Sequence, residues 1–165
     1  MSQTARRLAE LGIVLPKPAA PVANYVPAVG TPGSVAAGVL PQLWISGQLP
    51  LGPDGKLADR HKGKLGPDSA VEAAREAARL CAINLLAQAQ AVLGDLDKIV
   101  QTVRLGGYFN VAGAFDPLPQ AMNGASDLMV EVLGERGKHA RTTVGVAHLP
   151  LNALAEVEAV FLVSL

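Results

Sequence analysis

Ala140-Arg141-Thr142-Thr143-Val144-Gly145-Val146, followed by Leu149-Pro150 and then Glu156-Val157-Glu158, sets one arginine and two glutamates on what read as consecutive strands in a charge-poor C-terminal third. Val144 and Val146 alternate with Thr143, Gly145 and Ala147, while Val157, Ala159, Phe161 and Val163 alternate with Glu156, Glu158, Val160 and Leu162. Alternation of period two marks strands with unlike faces. A hairpin turn over 149–152 that aligns the valine faces places Arg141, Thr143, Glu156 and Glu158 together on the opposite face. There a guanidinium is a rigid bidentate partner for a carboxylate, and a glutamate can orient or deprotonate a water. A surface ion pair on an exposed sheet has the same pattern, and periodicity does not choose between the two.

Upstream, the clearest element is a helix. Ser69 reads as its cap, Glu72 completes a capping box, and the run reaches Leu93 with Gly94 at its end. Val71, Ala74, Ala78, Cys81 and Leu85 form its apolar stripe, and Glu72, Arg75, Glu76 and Arg79 its wet face. Residues 98–109 read as a strand. A second helix opens at Asp116-Pro117, with Asp116 as cap, and closes at Gly134. Nearer the start, 25–29, 34–40 and 43–46 read as strands punctuated by Pro27, residues 30–33 and Pro41. Residues 2–11 form a short amphipathic helix, and the proline-rich stretch 15–21 an extended arm. Residues 51–67 are a polar excursion, long for a compact domain, and read as a flap or interface loop. The order βββ–α–β–α–ββ predicts an α+β layer, a sheet with both helices on one face. The expected division is an arm over 1–23 and a single domain over 24–165.

Composition narrows the function classes. Of 165 residues 50% are hydrophobic and 17% charged, and mean hydropathy is +0.29. No uninterrupted apolar run approaches the ~18 residues of a membrane span, so the surplus apolar surface points to a homo-oligomer. Net charge is zero, and the basic clusters 6–7, 60–64 and 136–139 read as solvated loops or helix ends, which argues against nucleic acid as a partner. The single Cys81 excludes an intramolecular disulfide and reads as a core thiol. His61, His139 and His148 lack ligand spacing, so no metal is expected. Gly30-Thr31-Pro32-Gly33 lacks the lysine and the strand–helix context of a phosphate loop. Nothing reads as a signal peptide, so the cytoplasm is the expected location. At Ser46-Gly47-Gln48 the backbone N–H groups of Gly47 and Gln48 can receive a carboxylate or oxyanion, although a Ser-Gly turn is more often structural.

Asn24-Tyr25-Val26, Leu43-Trp44-Ile45-Ser46-Gly47-Gln48-Leu49-Pro50, Asn123, Ala140-Arg141-Thr142-Thr143-Val144, Leu149-Pro150 and Glu156-Val157-Glu158 occur in the order typical of one group. From about Asn24 onward the chain resembles the Rid (reactive intermediate deaminase) or YjgF family, often labelled endoribonuclease L-PSP. The N-terminal helix, the arm and the insert after Pro50 resemble a longer branch of it. The resemblance implies a chorismate-mutase-like (bacillary type) α+β fold with two helices on one face of a mixed sheet. It also implies a homotrimer with clefts between subunits and a deaminase that hydrolyses small 2-imino acids to 2-keto acids and ammonia without a cofactor. By motif, Arg141 then holds the substrate carboxylate near the Gly47 backbone. Glu156 orients the attacking water, and Tyr25, Ser46, Asn123 and Thr143 line the cleft. Deaminase members usually carry Cys at the place of Thr143 and often an acidic residue at that of Gly145. The alternatives are a non-catalytic trimer that senses a small carboxylate metabolite and, more weakly, a ribonuclease. Zero net charge, 4% aromatic residues and the lack of a histidine pair for acid–base cleavage weigh against the last.

Overall fold

The computed structural model describes residues 2–21, 23–34 and 38–164. In chain order the elements are α1 (Gln3–Glu10), β1 (Ala28–Thr31), β2 (Gln42–Gln48), α2 (Val71–Leu93), β3 (Ile99–Asn110), α3 (Leu118–Leu133), β4 (Ala140–Val146) and β5 (Ala155–Val163). The five strands form one sheet in the order β1-β2-β5-β3-β4, antiparallel throughout except for the parallel pair β3/β4. Helix α2 lies over β2 and β5, and α3 over β3 and β4. The expected mixed α+β sheet with both long helices on one face is found.

The core forms between that face and the helices. Leu43, Ile45, Leu105, Phe109, Val157 and Phe161 from the strands meet Ala74, Ala78, Cys81 and Leu85 of α2 and Met122 and Leu128 of α3, all buried. Each large apolar side chain so buried stabilises by roughly 1.5–3 kcal/mol. The alanines of α2 allow close approach, and so does Gly124 of α3, where a Cβ would collide with the Arg75 carbonyl. Arg75–Asp127 (2.9 Å) and Arg79–Glu131 (2.8 Å) bridge the same two helices at their solvent edge. Two expected caps are not made. Ser69 Oγ instead accepts from the Gly66 N–H (2.8 Å), so α2 starts behind Ala70 with no side-chain cap. The Asp116 carbonyl accepts from Leu118 N–H and α3 begins after Pro117, likewise without a side-chain cap.

Helix α1 is held by its N-terminus. Asp97 accepts from the backbone N–H groups of Gln3 (2.7 Å) and Thr4 (2.9 Å) and from the Thr4 hydroxyl (2.5 Å), a cap supplied from 93 residues away. Arg136 donates to Thr4 Oγ1 and to the Ile99 carbonyl, so part of the cluster expected to be solvated is structural. Of the strand expected over 34–40, residues 35–37 lie outside the described residues. Ser34 and Val39 exchange backbone hydrogen bonds in both directions, bringing together ends that an extended strand would separate.

The expected hairpin between β4 and β5 is absent, because β3 lies between them. In register, Arg141 stands beside Leu105, which pairs with Ala159, and Thr143 stands beside Gly107, which pairs with Val157. Arg141 and Thr143 therefore lie on the helix side of the sheet. Glu156 pairs with Tyr108 and Glu158 with Gly106 on the opposite side. The face shared by all four in the sequence reading does not exist within one chain. Alternation fixes which residues share a face along one strand, but a crossover through α3 rather than a hairpin decides which faces coincide.

The helix-free face is partly apolar. Val29, Trp44 and Val144 on it are 52%, 49% and 38% exposed, a spread of large side chains that no element among the described residues covers.

Candidate functional site

Two groupings carry the chemistry-bearing residues, and they lie on opposite faces. The first surrounds Glu156. Between Ile45 and Gln48, β2 gains one residue against β5, since Ile45 pairs with Ala159 but Gln48 with Val157. A bulge of this kind bends the strand and re-aims its side chains. Ser46 within it donates from Oγ to the Val26 carbonyl (2.8 Å), fixing the segment that carries Tyr25. Gly47 lies against the Glu156 carboxylate, where a Cβ would overlap it. Tyr25, Gly47, Leu49, Leu151 and Glu156, with Ala20 of the arm, line a small cleft of about 80 Å³.

Glu156 is half-buried, and no group among the described residues hydrogen-bonds or ion-pairs its carboxylate. Burial first, and then the charge of Glu158, push its pKa above the usual 4.5. Glu158 is differently placed. Arg104 Nη1 (2.9 Å) and the Tyr108 hydroxyl (3.2 Å) donate to it. Of two glutamates two residues apart, one is paired and the other is left as a free proton acceptor.

The second grouping surrounds Arg141. Its Nη1 donates to Asn123 Oδ1 (2.9 Å) and Ser126 Oγ (2.9 Å), and its Nη2 to the Pro119 carbonyl (3.1 Å), all on or beside α3. The Ser126 hydroxyl lies 2.9 Å from His139 Nε2, and His139 Nδ1 lies 2.6 Å from the Gly137 carbonyl. A carbonyl only accepts, so Nδ1 carries the proton and Nε2 accepts from Ser126. Burial, and the charge of Arg141, hold the His139 pKa below 6.5 against the opposing bond to Gly137. The chain Arg141→Ser126→His139→Gly137 thus fixes the guanidinium. Among the described residues three of its five N–H donors are used, which leaves two for a ligand.

Of the residues expected in the site, Tyr25, Gly47 and Glu156 meet in the cleft, with Ser46 bracing it, and Arg141 and Asn123 meet at α3. Thr143 joins neither grouping. Its Oγ1 is buried without a hydrogen-bond partner among the described residues. Thr143→Val removes an unsatisfied hydroxyl at constant shape and is expected to stabilise the fold by about 1 kcal/mol. Urea denaturation measures this, and an unchanged midpoint would mean that the hydroxyl has a partner in solution. The sequence did not place Ser126 or His139 beside Arg141, because a contact between a helix and the segment after it leaves no periodic trace. Arg104 and Tyr108 show one signal, an equal parity along β3, which becomes meaningful only once β3 is known to pair with β5.

A mixed five-stranded sheet backed by two helices, with this bulge and glutamate, defines a YjgF-type α+β protein. The family described as "YjgF/chorismate mutase-like, putative endoribonuclease" matches residues 5–163. The chain belongs to this YjgF/Rid family. It is 42% identical over 158 residues to "Protein TCP17" of Trypanosoma cruzi, covering 95% of this chain and 92% of that protein. The crystal structure of Atu1372 from Agrobacterium tumefaciens, a protein titled as of unknown function, is 41% identical with a TM-score of 0.82, covering 98% and 94% of the two chains. A structure from Shewanella oneidensis MR-1 titled "putative endoribonuclease" is 36% identical with a TM-score of 0.87, covering 98% and 100%. Among the described residues, no helix is long and apolar enough to cross a membrane.

Proposed function

We propose that the protein hydrolyses small 2-imino acids to 2-keto acids and ammonia, in clefts completed between subunits of a homotrimer. The observation that carries this reading is the unpaired, half-buried Glu156 carboxylate lying on Gly47 beside Tyr25. A raised pKa suits a general base, which must accept a proton without already being tied to a cation. Arg141 is the complementary half. It is pre-oriented by α3 and keeps two donors, the number a carboxylate takes. Because the two lie on opposite faces of one sheet, a single site that uses both draws them from neighbouring copies. The uncovered face with Val29, Trp44 and Val144 supports such an assembly.

The chemistry needs little else. Arg141 binds the carboxylate of the imine and holds the C=N carbon beside Glu156. Glu156 takes a proton from water as the water oxygen bonds to that carbon, and the C=N electron pair moves to nitrogen. The carbinolamine then collapses. With the imine entering as its protonated iminium, Glu156 returns its proton to the carbinolamine nitrogen and takes up the hydroxyl proton as the keto C=O forms, and the C–N bond breaks to release ammonia. Ammonia and pyruvate release from 2-iminopropionate generated in situ tests the reading. Acceleration above the uncatalysed rate is expected, and none at any enzyme concentration would refute it.

A further inference from the structure

The Glu156 cleft adjoins a second space an order of magnitude larger. This groove, about 970 Å³, runs between the proline arm and the tip of the insert and shares Ala19, Ala20, Leu51 and Leu151 with the cleft. The insert, expected to be a flap or interface loop, is tied to the rest of the fold. Lys62 pairs with Ala153 and Leu65 with Val111, and His61 and Leu65 are buried. Both walls are pinned from the core by amides four residues apart on α2. Asn84 Nδ2 donates to the carbonyls of Leu51 (2.9 Å) and Leu49 (3.4 Å) at the base of the insert. Gln88 Nε2 donates to Ala19 of the arm (2.8 Å) and to Gln48 next to Gly47 (3.3 Å). Asn84 and Gln88 are each 3% exposed, so both walls are anchored by buried donors.

The junction is also built. Leu151 adopts φ 54° and ψ 18°, a left-handed conformation that costs a bulky residue of order 1 kcal/mol or more. It is held there while 62% exposed, facing both cavities. Buried Asn110 enforces the turn, donating to Asn152 Oδ1 (3.1 Å) and accepting from Lys64 Nζ (2.7 Å). Beyond Leu151 the groove is edged by Lys17, Lys56 and Lys62 against Asp54. Lys62 is engaged by Asp59 at 2.8 Å. No side-chain partner among the described residues occupies the Lys17 or Lys56 ammonium.

We propose that this groove is the distal half of the substrate site and receives the anionic end of an elongated, doubly charged acid. The reacting head of that acid lies in the Glu156 cleft, and its aliphatic middle crosses Leu51 and Leu151. The proposal rests on the deaminase reading for its chemistry but not for its binding. The first test compares imines generated in situ by an amino-acid oxidase from alanine and from 2-aminoadipate. Wild type is expected to favour the longer, dianionic imine at least tenfold in kcat/KM. Lys17→Ala/Lys56→Ala should remove most of that preference, and Lys98→Ala, away from the groove, should keep it. Equal kcat/KM for the two imines, or a preference that survives the double variant, overturns the proposal. If neither imine is turned over, the deaminase reading fails and calorimetric titration with adipate decides the groove alone. Binding by wild type that the double variant weakens tenfold upholds it, and no adipate binding overturns it.

Discussion

Glu156→Gln is expected to lower imine turnover by about 10²–10⁴-fold, the usual contribution of a positioned general base, and at the same time to raise stability at neutral pH. The two effects share one cause. Burial and Glu158 disfavour the charged carboxylate, so the folded pKa lies above 4.5 and the folded state holds the proton more tightly than the unfolded chain. The contribution of Glu156 to stability is therefore fully present below about pH 4.5 and is lost as pH rises through the folded pKa. Glutamine keeps the shape beside Gly47 and never ionises. The melting temperature of the variant should exceed that of wild type at pH 7.5 and converge with it near pH 4. A variant as active as wild type would remove Glu156 from the mechanism. An unchanged melting difference across that range would mean that its carboxylate is stabilised by a partner in the assembly.

Arg141→Ala and Glu156→Gln are each expected to be inactive and to recover activity when combined in one oligomer. A site that takes Arg141 from one copy and Glu156 from its neighbour is intact whenever an Arg141-bearing chain meets a Glu156-bearing one in the right order. Random assembly from equal amounts gives about a quarter of the sites both groups, a consequence of cyclic, head-to-tail contacts. Co-expressed differently tagged variants, purified through both tags, should show three subunits by light scattering and turnover well above either parent. Mixed oligomers that stay inactive would mean that the two residues do not share a site across an interface.

What was legible in the sequence depended on how local the information was. Helix α2 was readable because its alanine and leucine spacing repeats over many turns and ends at Gly94. The strands were readable as strands, but their neighbours were not. Period two says that Glu156 and Glu158 share a face. It does not say that β3 separates them from Arg141, and that depends on the crossover through α3. Ser69 illustrates the same limit at one residue, since a hydroxyl suited to a cap was taken by the turn at Gly66. Arg141, Glu156, Tyr25 and Gly47 were identified by motif, and the last three do meet in the cleft. Ser126 and His139, which fix Arg141, and Arg104 and Tyr108, which pair Glu158, acquire meaning only in three dimensions.

The position of β5 has a consequence for how the molecule is made. It is the last of the five strands in chain order and the middle one in space, hydrogen-bonded to β2 on one side and β3 on the other. Until β5 is made, no strand joins the β1/β2 pair to the β3/β4 pair, and only the packing of α2 on α3 links the two halves. Such long-range pairing is slow and exposes strand edges while it waits. The same strand carries Glu156. A nascent chain therefore acquires its catalytic candidate and its completed sheet with the same strand.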